Sequence, residues 1–195
     1  AIVGAYQCGI RDFDIQKGYE ASLKNEITSE NRVFGAGKMD VGKFIKFGYV
    51  PYMAKGEGAD ELWKFSCSHT LEYSFTSYAV AQMAKALGRE DDYNFFIKRS
   101  LNYRNLFNTE TGFYHPKDST GRWIEPFDYR FDSGTGARDY YDENNAWTYI
   151  WQPYHAFDDL ISMMGGKKKL EEKLDQLFSE GLGRTKWISY STFPD

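Results

Sequence analysis

The sequence predicts a mainly α-helical fold, built from helical hairpins with a long aromatic loop region between them. Two stretches with helical hydrophobic spacing each end at glycine, at Gly88 and at Gly165-Gly166, and a second helical stretch follows each turn at once. The two turns lie too far apart for a small solenoid repeat. An α/α toroid, whose long loops reach over a central cavity, accommodates this spacing.

Composition excludes several classes of protein. Of the 195 residues, 42% are hydrophobic and 27% are charged, which is typical of a folded globular chain. No apolar run approaches the ~18 residues of a membrane span, and a net charge of −4 argues against nucleic-acid binding. Cys8 and Cys67 are too few for a disulfide framework, and no zinc or nucleotide motif is found. The chain starts and stops in mid-pattern, so we expect an interior piece of a larger protein.

Local signals define the helices of the first half. Asp14 is placed to cap a helix over Ile15–Ile27, and a polar, glycine-containing stretch over 28–39 predicts a loop. A short helix over Val41–Phe47 should end at Gly48. The first hairpin follows, with a helix over about 70–87 whose apolar face is Leu71, Phe75, Tyr78, Ala79, Met83 and Ala86. Acidic residues at 90–92 begin the next helix, with Tyr93, Phe96, Ile97, Leu101 and Phe107 on its face.

The second half is predicted as a loop followed by the second hairpin. Residues 108–142 alternate aromatics with turn-forming residues, and 118–121 reads as a β-turn between two short strands. A helix over about 146–164 follows, kinked at Pro153, and another covers 167–178. The apolar face of the first of these helices consists of Trp147, Ile150, Trp151 and Tyr154.

Acidic and amide side chains stand directly before that aromatic helix. Asp142 or Glu143 can cap its N-terminus. A carboxylate at the mouth of an aromatic-lined cavity is also what a sugar-cleaving enzyme requires, because aromatic rings stack on sugars and a carboxylic acid can protonate the leaving oxygen. The pattern alone leaves both roles of Glu143 open.

An ordered series of segments resembles glycoside hydrolase family 92, the calcium-dependent inverting exo-α-mannosidases. The resemblance runs along nearly the whole chain, and Glu143-Asn144-Asn145-Ala146-Trp147 is similar to the family's Glu-Gly-Asn-Ala-Trp element. The other matching segments include Gly9-Ile10-Arg11-Asp12-Phe13-Asp14, Gly48-Tyr49-Val50-Pro51, Thr70-Leu71-Glu72-Tyr73, Thr111-Gly112-Phe113, Pro126-Phe127-Asp128 and Met164-Gly165-Gly166.

The resemblance implies a fold, a reaction and a location. Residues 1–195 would form part of one (α/α)6-barrel catalytic domain that hydrolyses terminal α-mannosidic bonds of glycans, of the α-1,2 type, with inversion. Glu143 would be the general acid. The base aspartate and most Ca²⁺ ligands would lie downstream, so the fragment alone should be inactive and the remainder of the domain is its partner. The family also implies export to the periplasm, the cell surface or the medium.

Four further residues are candidate sugar contacts. Trp147 and Trp151 could stack on a sugar or pack in the core, and Glu125 and Asp128 could bind hydroxyls or cap turns. Asn144 stands where the family has glycine, and Thr148 stands where it commonly has glutamine. Because both differences lie next to the candidate site, they bear on linkage preference. Two other classes of function stay open: another α/α-toroid carbohydrate enzyme, or a non-catalytic glycan-binding helical domain.

Overall fold

A computed structural model describes residues 1–28, 37–53, 65–130, 140–142 and 144–182. Over these ranges the fold is mainly helical, as the sequence predicts, and no helix among them has the length and apolarity to cross a membrane. The elements in chain order are α1 (Ile2–Gln7), α2 (Ile15–Ile27), α3 (Val41–Phe47), α4 (Ser66–Ala86), α5 (Glu90–Arg99), a 3₁₀ helix (Asn102–Leu106), β1 (Phe107–Asn108), β2 (Phe113–Tyr114), α6 (Ala146–Tyr149), a second 3₁₀ helix (Tyr154–Ala156), α7 (Phe157–Met163) and α8 (Lys167–Leu182).

The chain divides into two compact units. Unit 1 comprises Ala1–Val50 and His69–Asn105, and unit 2 comprises Pro51–Ser68 and Leu106–Asp195. The core of unit 1 joins α2, α4 and α5. Every sugar-contact candidate named from the sequence belongs to unit 2. The buried core residues of unit 1 are Tyr19, Val80, Ala81, Met83, Ala84 and Phe96.

Both predicted helices of the N-terminal region are confirmed. The Asp14 carboxylate accepts a hydrogen bond from the backbone N–H of Lys17 at 2.9 Å, which caps α2. Gly48 ends α3 with φ of 75°, and its N–H donates to the carbonyl oxygen of Phe44. A Cβ atom at Gly48 would lie 3.0 Å from Nδ2 of Asn105. Both the backbone conformation and the available space therefore favour glycine there.

The two glycine turns predicted from the sequence are confirmed and share one geometry. After α4, the N–H of Arg89 donates to the carbonyl oxygen of Ala84 at 2.8 Å, and Gly88 has φ of 69°. After α7, the N–H of Gly166 donates to the carbonyl oxygen of Ile161 at 2.8 Å. Bonds that span six residues around a glycine with positive φ form the Schellman motif, which satisfies carbonyl groups at a helix end.

Helix α4 is buried more widely than its hydrophobic pattern indicates. It begins at Ser66, ahead of the predicted start near 70. Phe75, which the pattern placed on the buried face, is 39% exposed. Ser74 and Ser77 are buried instead, and each hydroxyl oxygen lies 2.7 Å from a carbonyl oxygen one turn earlier. A period of apolar residues cannot reveal a face built from small hydroxylated side chains, because these residues count as polar.

A buried charged cluster ties the end of α2 to α4 and α5. The carboxylate of Glu26 is 2% exposed and forms ion pairs with Arg99 and Lys38. Ser77 donates to the same carboxylate at 2.9 Å, and Lys38 also donates to Thr76. Burial lowers the pKa of the Arg99 guanidinium, and the Glu26 charge opposes that shift. The two cations compensate a carboxylate that would otherwise be costly to bury.

The single helix predicted over 146–164 is wrong. Helix α6 ends at Tyr149, and a 3₁₀ helix over Tyr154–Ala156 separates it from α7. Pro153 explains the break, because it lacks an N–H and disfavours helical geometry at the preceding residue. Tyr154, predicted on the apolar face, is 69% exposed.

The aromatic loop contains short β structure. Phe107, assigned from the sequence to the face of a helix that ends at Arg99, lies in β1 opposite Tyr114 of the antiparallel strand β2. The predicted turn at 118–121 is confirmed, since the N–H of Gly121 donates to the carbonyl oxygen of Asp118 at 3.1 Å. Strands of two residues are too short to give an alternating pattern.

The two cysteines lie in contrasting surroundings. Cys67, in the first turn of α4, is fully buried, and burial raises the pKa of its thiol to about 12. Cys8, which follows α1, is exposed. Neither forms a disulfide.

Candidate active site

Helix α6 begins three residues after Glu143, the candidate acid, which itself lies outside the described residues. The side-chain oxygen of Asn145 accepts a hydrogen bond from the backbone N–H of Trp147 at 3.1 Å. Asn145 is therefore the N-cap of α6, a role for which the sequence offers Asp142 or Glu143 as candidates. An uncharged amide satisfies the helix end, so no neighbouring carboxylate is needed for that purpose.

The end of the aromatic loop holds this turn from the other side. The N–H of Ala146 donates to the carbonyl oxygen of Tyr129 at 3.2 Å. The side-chain amide of Asn145 donates to the carbonyl oxygen of Arg130 at 3.5 Å. The backbone that follows Glu143 is therefore fixed by the cap within α6 and by two contacts with residues 129–130.

The two positions that depart from the family pattern are bonded to each other. The hydroxyl of Thr148 donates to the side-chain oxygen of Asn144, and that oxygen also accepts from the backbone N–H of Asn145 at 3.1 Å. Asn144 and Thr148 therefore act as one pair across the first turn of α6.

An aromatic cluster packs beneath this turn. The rings of Phe113 and Tyr129 are stacked, with centroids 4.6 Å apart and an interplanar angle of 12°. Trp147 meets both rings edge-on, at 4.7 Å from Phe113 and 5.8 Å from Tyr129. Because Trp147 is only 1% exposed, its burial agrees with the packing role that the sequence left open.

Glu180, near the end of α8, collects four hydrogen bonds at this cluster. Its carboxylate accepts from the indole N–H of Trp147 at 3.1 Å and from the hydroxyl of Tyr129 at 3.0 Å. It also accepts from Arg130 at 3.0 Å and from Gln176 at 2.8 Å. Burial raises the pKa of Glu180, but these four donors outweigh it and hold the pKa at about 2.

Lys173 lies against the same aromatic rings. Its ammonium nitrogen is 3.5 Å from the ring centroid of Phe113 and 4.9 Å from that of Trp147. Burial lowers the pKa of Lys173 to about 8, although Glu180 opposes the shift. Lys173, Gln176 and Glu180 share one face of α8. The sequence does not mark them as part of a site, because polar and charged residues on an amphipathic helix resemble a solvated surface.

The two loop carboxylates are exposed and cap local turns. Glu125 accepts from the backbone N–H of Phe127 at 3.1 Å, and Asp128 accepts from that of Arg130 at 2.9 Å. The structure brings Asp128 next to the residues that contact α6. Trp151 is half-buried and lies just past the end of α6.

His115 is a buried neutral histidine at the base of the loop. Its Nδ1 accepts from the side-chain amide of Asn108 at 3.1 Å, and its Nε2 donates to the carbonyl oxygen of Ile124 at 2.7 Å. Phe127 stacks on the ring at 4.0 Å. Burial lowers the pKa of His115, although Glu125 opposes the shift. Because both ring nitrogens are engaged, the imidazole supports the loop.

No cluster of three acidic side chains is found among the described residues. Across the ranges that the structure describes, no group of three or more histidine, cysteine, aspartate or glutamate side chains lies close enough to hold a metal ion.

Comparison with known proteins shows one family throughout. A sequence model of the glycosyl hydrolase family 92 catalytic domain matches residues 1–192. An inverting mannosidase of family GH92 from Bacteroides thetaiotaomicron is 28% identical, with a TM-score of 0.78 over 91% of this chain and 22% of that one. A family GH92 α-mannosidase from the same organism, solved in complex with mannoimidazole, is 29% identical, with a TM-score of 0.76 over 91% and 22% of the two chains.

A fungal relative agrees with these matches. A secreted glycosidase of Arthroderma benhamiae, whose activity is uncharacterized, is 27% identical over 203 residues, which cover 93% of this chain and 26% of the fungal protein. The chain therefore spans about a quarter of the length of these relatives.

Proposed function

Because this chain belongs to the glycosyl hydrolase family 92 catalytic domain, we propose that the protein containing it hydrolyses terminal α-mannosidic bonds of glycans, with inversion of configuration. The family match over residues 1–192 carries the proposal. The mannosidases of known structure that resemble the chain support it. The substrate would be an α-1,2-linked mannoside, such as the terminal residue of an N-glycan.

The proposed reaction assigns the general acid to Glu143. Its carboxylic acid would donate a proton to the glycosidic oxygen while the C–O bond breaks. A water, deprotonated by an aspartate outside this chain, would attack from the opposite face of the sugar. Inversion requires the two carboxyl groups to be about 6.5–9.5 Å apart, so that the water fits between them. Residues 1–195 would then form part of one (α/α)6 barrel that the remaining domain completes.

The hydrogen bonds around α6 support this assignment. Asn145 caps α6, and the contacts with Tyr129 and Arg130 fix the backbone that follows Glu143. A general acid is effective only when it is held within hydrogen-bonding reach of the leaving oxygen. Asn144 and Thr148, which share a hydrogen bond, would influence how the leaving group is received.

Sugar contacts are proposed at three positions of unit 2, and a fourth residue supports them. Trp151, half-buried just past α6, would stack on a sugar ring. Glu125 and Asp128 are exposed, and each has one oxygen that caps a turn, so the other could bind a hydroxyl group. Trp147 would contribute from below, as the buried support of this surface.

Calcium and export complete the proposal. Ca²⁺ would be held by oxygen ligands that lie mostly outside this chain, and when bound it would help to organise the sugar site. We also propose export to the medium, the periplasm or the cell surface. The fungal relative, which is a secreted glycosidase, supports this.

The first experiment is mannose release from α-1,2-mannobiose by the complete protein, with calcium and then with a chelator. Release that stops with chelator and returns with added calcium is the expected result. No release from any α-mannoside would overturn the proposal. Turnover that depends on phosphate would indicate a phosphorylase, and glycan binding without turnover would indicate a binding domain.

The second experiment tests the acid. Glu143→Gln should lower hydrolysis of mannobiose by ~10²–10⁴, and should lower hydrolysis of an activated aryl mannoside far less, because a good leaving group needs little protonation. Glu90→Gln, in the exposed first turn of α5, is the matched control and should behave as wild type. Equal losses on both substrates would remove Glu143 from the acid role.

A further inference from the structure

One carboxylate of helix α8, that of Glu180, is hydrogen-bonded to several residues of the candidate active site. Glu180 accepts hydrogen bonds from Trp147 in α6 and from both Tyr129 and Arg130 at the end of the aromatic loop. These residues are also the ones that meet at the first turn of α6. Gln176, one turn earlier on α8, donates to the same carboxylate and fixes its orientation.

We propose that Glu180 is a positioning residue for catalysis, which holds the first turn of α6, and with it the backbone next to Glu143, against the end of the aromatic loop. The inference rests on the proposed function and adds to it a residue 37 positions from the acid in sequence. Glu180 acts through Trp147 and the loop and does not touch the substrate.

The geometry favours positioning over a purely local role. The carboxylate of Glu180 joins α8 to two other segments, residues 129–130 and α6, through bonds of 3.0–3.1 Å. The indole of Trp147 has a single donor, and Glu180 receives it, so this bond sets the rotation of the ring within the cluster. The Ala146–Tyr129 backbone bond joins two of the same segments directly. A shift of one segment would therefore move the others.

The charges around Glu180 reinforce this arrangement. Arg130 pairs with the carboxylate as an ion pair, and the side chain of Glu180 is 18% exposed, so solvent screens the pair only in part. Lys173, which shares a face of α8 with Glu180, lies over the rings of Phe113 and Trp147. The opposite charges of Lys173 and Glu180 thus contact the same tryptophan at its ring and at its N–H group.

The test uses the complete protein with the variant Glu180→Gln, which keeps the shape of the side chain but removes its charge. Hydrolysis of α-1,2-mannobiose should fall by about 10- to 100-fold, as expected for a misplaced catalytic group. Hydrolysis of an activated aryl mannoside should fall less than threefold, roughly, because it needs little help from an acid. Glu171→Gln, exposed on the same helix, is the matched control and should match wild type.

A double-mutant comparison separates positioning from a structural role. If Glu180 acts through Glu143, then adding Glu180→Gln to Glu143→Gln should cause little further loss on mannobiose. Additive losses, or equal losses on both substrates, would overturn the proposal. The Glu143→Gln protein alone reports on the proposed function, so failure of the acid assignment is recognised separately, and it would overturn the positioning role with it.

A second variant keeps the proposal testable if Glu180→Gln does not fold. Tyr129→Phe removes one of the four donors and leaves the stacked ring in place. This variant should also lower hydrolysis of mannobiose more than hydrolysis of the aryl mannoside, but by a smaller factor than Glu180→Gln. A loss that is equal on both substrates would count against the proposal.

Discussion

The side-chain oxygen of Asn145 lies 3.1 Å from the backbone nitrogen of Trp147, and this hydrogen bond begins α6. Asn145 is fully buried, so its amide has no water to replace a lost partner. A helix of only four residues has few hydrogen bonds of its own, and its position depends on such contacts.

Replacing Asn145 by alanine removes the cap. Asn145→Ala should lower the free energy of unfolding by about 1 kcal/mol, and by more if the N–H of Trp147 is left without a partner. Asn145→Asp keeps the acceptor and should recover part of the loss. Denaturant unfolding of the complete protein measures both values. An alanine variant as stable as wild type would show that the cap contributes nothing.

Two glycines offer a matched pair in unit 1. Gly48→Ala places a Cβ atom at φ of 75° and 3.0 Å from Asn105, and it should destabilise the protein by about 1–2 kcal/mol. Gly4→Ala, in α1, meets no atom within 4 Å and should be neutral or stabilising by about 0.5–1 kcal/mol. Thermal unfolding of both variants gives the comparison. Similar midpoints for the two would contradict the role of Gly48.

His115 gives unit 2 a predictable dependence on pH. Because burial lowers the pKa of His115 in the folded state, the unfolded state binds the proton more readily. Stability should therefore rise with pH between the lowered pKa and the ordinary value of about 6.5, with a slope of at most about 1.4 kcal/mol per pH unit. The stability should fall as the solution is acidified below pH 6.5.

The measurement compares the free energy of unfolding of wild type and His115→Gln from pH 5 to pH 8. The variant loses the histidine titration, so the difference between the two proteins should change across this window and be constant above it. A difference that does not vary with pH would show that His115 titrates alike in both states.

Local signals in the sequence predict those parts of the fold that local contacts determine. Asp14 caps the helix that begins beside it, and Gly48 ends the helix that precedes it, so a few neighbouring residues suffice. The sequence predicts that Pro153 kinks a continuous helix, but α-helical geometry ends at Tyr149 and resumes only at Phe157. The cost of continuing past proline exceeds what the apolar face could recover.

The contacts within the candidate site could not be predicted from local signals in the sequence. Glu180 contacts Trp147 across 33 residues, and a glutamate near the end of a polar helix carries no mark of that partner. Asn145 was overlooked because two acids stand near it and acids are the stronger expectation at a helix N-terminus. The family resemblance assigned Glu143 a role that spacing alone left open, and that role stays a prediction.

Because Cys8 is exposed and Cys67 is buried, the two thiols should react with a labelling reagent at very different rates. At neutral pH a thiol reagent should modify the exposed Cys8 at once, whereas Cys67 is shielded and its thiol resists ionisation. Cys67 can react only after the start of α4 separates from its neighbours, among them Tyr140, whose carbonyl oxygen accepts the N–H of Cys67. The delay before Cys67 is labelled therefore measures how often this part of the protein opens, and the measurement needs no sugar substrate.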